Sequence, residues 1–89
     1  IIVVTTIDHE KRVMASRPDV ISRGFVYVRE AEQLMEDIKQ ISAEAVEEVL
    51  ARRHGDWATM KSNIRNSVAK YIYEKTKRSP MILPIIEEI

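Results

Sequence analysis

Two apolar stripes, between residues 34 and 72, constrain the fold of the chain more than any other feature. Leu34, Ile38, Ile41, Ala45 and Val49 recur at spacings of four, three, four and four, and Trp57, Met60, Ile64, Val68 and Ile72 at three, four, four and four. A period near 3.6 with one apolar face predicts two helices, each lying on a core. Acidic residues gather at the start of the first (Glu30, Glu32, Glu36, Asp37), and Arg52, Arg53 and His54 are expected to close it, which complements a helix dipole at both ends. Gly55 predicts a left-handed stop, and Asp56 an N-cap for the second helix, which runs to about Lys77 before Pro80. Helices joined by so short a link must be neighbours, antiparallel or steeply crossed.

Two stripes need a third surface to bury them. Residues 1–7, IIVVTTI, are β-branched throughout, which suits a buried strand and disfavours a helix. DHEK at 8–11 reads as a turn and RVMAS at 12–16 as a short returning strand of a hairpin. Pro18 and Asp19 make RPDVIS a predicted loop, after which Gly24 opens a short strand, FVYV. MILPIIEEI at 81–89 returns to strand character, with Pro84 restricting it to a sheet edge or a bend. The predicted architecture is α+β, a small three- or four-stranded sheet with both helices on one face, and one domain over residues 1–89.

At 89 residues with no cysteine the chain has neither disulfide staples nor thiolate metal sites, so one core must hold it. No apolar run reaches the roughly 20 residues of a membrane helix, and IIVVTTID lacks the basic start and cleavage site of a secretory signal. A cytoplasmic location is therefore expected. The sequence enters a strand-like run at Ile1 without a methionine, and is expected to be a piece of a longer protein.

Formal net charge is zero, but the signs are segregated. Residues 29–54 hold four basic and seven acidic side chains, a net of −3, and residues 57–78 hold six basic side chains against Glu74, a net of +5. The histidines, His9 and His54, stand far apart and form no ligand pair. Two isolated glycines build no phosphate loop, dinucleotide turn or nucleophile elbow. The carboxylates Glu44, Glu47 and Glu48 read as a solvated helix face. No catalytic, metal or cofactor residue is expected in this segment.

Two stretches carry binding character. Arg65, Lys70, Lys75, Lys77 and Arg78 lie around Tyr71 and Tyr73, a combination that can neutralise phosphates and stack on bases of single-stranded RNA. Cations at a helix C-terminus and packed tyrosines produce the same pattern. Met81, Ile82, Leu83, Ile85 and Ile86 are either core or a contact with another chain or domain.

RPDVISRGFVYVRE at 17–30 and YEKTKRSPMILPIIEEI at 73–89 closely resemble the C-terminal domain of bacterial ribonuclease J, a zinc-dependent nuclease family of the metallo-β-lactamase superfamily with a β-CASP insertion. The resemblance spans the chain and is weaker over its helical middle. Ser79 stands where the family often has a second arginine before the proline, a departure that points toward the second paralogue of Firmicutes. The resemblance implies a three-stranded sheet faced by two helices, in agreement with the periodicity. It also implies a parent that cuts RNA endonucleolytically and as a 5′ to 3′ exonuclease, with its two-zinc centre in a larger N-terminal part.

For this domain the resemblance implies support of homo-oligomer or paralogue hetero-oligomer assembly, with RNA as the parent's substrate and the RNA-degradation machinery as a partner. Arg23, Phe25, Tyr27, Met81, Ile82, Leu83 and Ile85 are the expected interface residues. Direct RNA binding by the five basic residues named above is the alternative.

Overall fold

The computed structural model of the chain describes residues 1–22, 31–52 and 55–89. Strand β1 (Ile2–Asp8) is followed by β2 (Val13–Met14), β3 (Asp19–Ile21), helices α1 (Ala31–Leu50) and α2 (Trp57–Thr76), and β4 (Leu83–Glu88). The fold is α+β, a four-stranded sheet with two helices. The predicted strand FVYV, the Gly24 bend, and Arg53 and His54 lie outside the described residues.

β1 is the axis of the sheet. One of its edges is shared by two short antiparallel strands, with β3 beside its first half (Ile2 opposite Ile21, Val4 opposite Asp19) and β2 beside its second (Ile7 opposite Met14). Its other edge pairs with β4 along its length, in parallel, from Ile2 opposite Leu83 to Ile7 opposite Glu88. A parallel pair needs a long crossover, and the two helices lie within it. The segment read as a loop at RPDVIS thus contains β3: Pro18 is buried, and the three residues after it find pairing partners on β1 that a single sequence does not reveal.

Pro84 confirms β4 as an edge among the described strands. The Leu83 amide donates to the Ile1 carbonyl at 2.8 Å and that of Ile89 to Ile7 at 2.9 Å. Alternation then turns the odd-numbered amides of β4 toward β1 and leaves even-numbered Pro84 on the outer side, where its missing N–H breaks no ladder bond.

The core lies between the helices and one sheet face. Val3 and Ile7 of β1, Ile38, Ala45, Val46 and Val49 of α1, Met60, Ile64, Val68 and Ile72 of α2, and Ile82 are buried. The α2 stripe follows the sequence expectation, with Trp57 at its end only half-buried. The α1 stripe is rotated from it: Leu34 and Ile41 are half-buried, while Ser42 and Val46 take central positions. α1 packs beside β2 and β3, and α2 beside β4. The Ser42 and Thr5 hydroxyls are buried without a hydrogen-bond partner.

The helix junction combines one expected device with one unexpected one. Asp56 caps α2, its carboxylate accepting from the Thr59 amide at 2.7 Å. Gly55 is not the left-handed stop the sequence predicted, because its φ lies outside that range. A Cβ there would instead stand 2.6 Å from the Val49 carbonyl oxygen and 2.7 Å from Val49 Cγ1, so glycine permits a close approach to the end of α1. α1 ends at Leu50 with no basic residue in its last turn, and Arg52 meets Glu48 at 2.9 Å.

Candidate interaction surface

Strand alternation sorts every described strand residue onto one of two faces. On the helix side stand Val3, Thr5, Ile7, Met14, Val20, Ile82, Pro84 and Ile86, all buried or packed against the core apart from its margins. No described helix lies on the other face. The register lays out its rows: Ile21, Ile2 and Leu83 stand abreast on β3, β1 and β4, then Asp19, Val4 and Ile85, then Thr6 beside Glu87. Leu83 is 50% exposed, Ile85 37% and Ile21 46%, and Met81 at the head of β4 is 82% exposed. Scattered apolar residues on a surface are ordinary, whereas adjoining rows of Ile, Leu, Val and Met on three neighbouring strands form a patch of the kind that marks a contact.

The expected interface residues therefore divide. Met81, Leu83 and Ile85 share the open face, whereas Ile82, 6% exposed, points the other way and is core. Alternation makes that split unavoidable, since consecutive strand residues face opposite sides. Arg23, Phe25 and Tyr27 lie outside the described residues. Ile2, Val4 and Ile21 join the patch although no sequence signal singled them out. In IIVVTTI both faces are β-branched, so only the register tells which residues look away from the helices.

The five basic residues do not form one surface. Steps of five residues rotate a helix by about 140°, which separates Arg65 from Lys70 and Lys70 from Lys75. Lys70 lines the groove between the helices with Glu44, Glu48 and Glu74. At the end of α2, Lys75 lies 6.0 Å from the ring centre of Tyr71 and Lys77 lies 5.3 Å from that of Tyr73. Lys77 is the left-handed C-cap of the helix (φ 59°), donating its backbone N–H to the Tyr73 carbonyl at 2.8 Å.

Tyr71 is a tie between helices rather than a stacking platform. Its hydroxyl donates to Asp37 Oδ2 on α1, and Gln33 donates to the other carboxylate oxygen at 2.8 Å. These two bonds, with the nearby Lys75 charge, hold the Asp37 carboxyl below its usual range. Burial, the bond to Asp37 and its negative charge push the Tyr71 hydroxyl up to about 12. Tyr73 is different, being 52% exposed.

Among the described residues no group of three or more His, Cys, Asp or Glu is placed to hold a metal ion, and no helix is long and apolar enough to cross a membrane. Residues 1–89 match the family described as the Ribonuclease J C-terminal domain. The chain belongs to that family. Ribonuclease J2 of Bacillus subtilis (strain 168) is 43% identical over 89 residues, covering 100% of this chain and 16% of that protein. The ribonuclease J 2 proteins of Staphylococcus epidermidis and Staphylococcus aureus are each 43% identical over 88 residues, 99% of this chain and again 16% of theirs. The chain thus spans about one sixth of the length of these ribonuclease J relatives, and the α+β fold is what this family's C-terminal domain contributes here.

Proposed function

We propose that the domain is an accessory assembly module of a ribonuclease J-type nuclease, an endoribonuclease and 5′ to 3′ exoribonuclease of RNA processing and mRNA decay, and that it supports the activity of a catalytic body outside this chain. The open sheet face carries this reading, because Met81, Leu83 and Ile85 stand exposed beside Ile2, Val4 and Ile21 on the face opposite both described helices. Burying such rows against a partner gains roughly 25 cal/mol per Å² of apolar area removed from water, enough for a modest patch to bias assembly. The zinc chemistry implied by the family resemblance has no ligand set among the described residues: His9 stands alone in a turn, and the carboxylates are spread over helix and strand faces.

The test is sedimentation of the full-length nuclease carrying this domain, with Leu83→Ser and Ile85→Ser combined. Both side chains are at least a third exposed, so the domain should keep its fold while the nuclease shifts toward smaller species and loses activity per chain. An unchanged size distribution near the dissociation constant would refute the assembly reading.

A second reading, direct contact with single-stranded RNA, is favoured by one observation: exposed Tyr73 lies beside Lys77, with Lys75 close by on the same end of α2. Under it, Lys75→Ala and Lys77→Ala weaken RNA binding and reduce the salt slope of log K by about 0.7 for each phosphate they leave unneutralised. A slope that does not change would remove this reading.

A further inference from the structure

The open face is acidic as well as apolar, and its carboxylates restrict what can cover it. No described strand contains Lys, Arg or His, whereas Asp8, Asp19 and Glu87 all stand on the open face. Asp19 on β3 flanks Val4 in one row, and Glu87 on β4 flanks Thr6 in the next, so a carboxylate borders the apolar rows on each side of β1. With strands about 4.8 Å apart and residues rising about 3.3 Å, these two positions lie roughly 12 Å from one another across the patch. Neither has a hydrogen bond or ion pair with another described side chain. Arg17, beside β3 in sequence, is engaged with Glu36 of α1 at 2.9 Å.

Stacking two copies of this face around a two-fold axis would gather three carboxylates from each, six in all, with no cation on a described strand to answer them. Like charges brought together in a desolvated contact cost affinity, whereas a cation of the partner placed against each carboxylate adds to it. Resting on the assembly reading, we infer that the open face docks heterologously, onto an apolar protein surface bordered by lysine or arginine in another part of a ribonuclease J subunit, and not onto its own copy. Leu83, Ile85, Val4 and Ile2 supply the buried centre, and Asp19 and Glu87 pair with the partner's cations at the rim. The same carboxylates turn RNA away from this face.

The experiment follows assembly of the full-length nuclease and of the 89-residue chain by sedimentation, with Asp19→Asn and Glu87→Gln combined, and Asp19→Lys and Glu87→Lys combined. Circular dichroism and melting confirm that the variants fold, which both exposed positions allow. The chain alone should remain monomeric. In the nuclease, neutralisation should weaken assembly about three- to tenfold and flatten its salt dependence, and charge reversal should weaken it further.

Self-association of the chain through this face would overturn the inference. So would neutral variants that assemble more tightly, as removal of repulsion between two copies requires, or variants that assemble as the parent does. In each of these outcomes the assembly reading survives if Leu83→Ser with Ile85→Ser still disrupts the nuclease. If that pair has no effect, the assembly reading itself fails.

Discussion

Replacing Gly55 with alanine sets two physical effects of opposite sign against each other. Where the backbone is compatible, Gly→Ala stabilises by about 0.4–1 kcal/mol through the reduced freedom of the unfolded chain. Gly55 has a compatible φ, so on backbone grounds alone the variant should be more stable. The Cβ would, however, sit 2.6 Å from the Val49 carbonyl oxygen, at least 0.4 Å inside the 3.0 Å below which real Cβ contacts essentially never fall. Neither neighbour can give way cheaply. The Val49 side chain is fully buried, and its carbonyl accepts the Arg52 amide at 3.0 Å in the turn that closes α1.

Overpacking of this kind costs about 1–3 kcal/mol, and weakening the Arg52 bond adds up to about 1. After the offset, Gly55→Ala should destabilise by up to about 3.5 kcal/mol, and each kcal/mol lowers the melting temperature of a domain this size by about 4–8 °C. Urea unfolding followed by circular dichroism measures the difference directly. Gly55→Asn separates the two explanations of the glycine, because asparagine tolerates a left-handed backbone but carries the same Cβ. Asparagine as stable as glycine, or an alanine variant more stable than the parent, would refute the close-approach explanation.

Three further outcomes follow from the packing. Ile64→Ala, which empties a fully buried position, should cost about 2–5 kcal/mol in urea unfolding. Trp57→Ala should cost less despite the larger side chain, because the indole is only half-buried, and the opposite order would show that the core is misplaced. Lys77→Gly relieves a left-handed lysine, a conformation that costs an L-residue about 1–2 kcal/mol; the domain should be as stable or up to about 1 kcal/mol more stable, and a lower melting temperature would count against the cap. Tyr71→Phe should remove the alkaline pH dependence that this hydroxyl contributes and reduce the acidic one, where Gln33 still bonds Asp37. The raised Tyr71 pKa gives stability that is complete below its ordinary value of 10.0 and lost as pH rises to about 12, and the lowered Asp37 pKa gives stability present above 3.8 and lost as pH falls through its lower native value. A urea midpoint in the Phe variant that still tracks pH like the parent would sever the link between these groups.

Periodicity made the helices legible because it is a local signal. Met60, Ile64, Val68 and Ile72 each meet the core through the same side of α2, and Asp56 caps the residue three positions ahead. Where the outcome depended on partners distant in sequence, the local signal ran out. Val20 pairs with Val3, so β3 owes its existence to β1 rather than to the turn-forming Pro18 and Asp19 around it. Ser42, polar and in mid-helix, is buried in the core although no apolar stripe marks it.

The candidate site was half legible for a related reason. Alternation within MILPIIEEI could divide its residues into two sets, but could not say which set the helices would cover. Pro84 holds the answer once β1 is known as the partner. Its register opposite Val3 sends it to the buried face, and with it Ile82 and Ile86, which leaves Met81, Leu83, Ile85 and Glu87 together on the other. The same register aligns Val4 with both Ile85 and Asp19, so one pairing pattern decides at once which apolar residues stay exposed and which carboxylates border them. A partner that buries the first must also answer the second, and the charge on that partner, rather than the area it covers, separates docking of this domain on another surface from docking on its own copy.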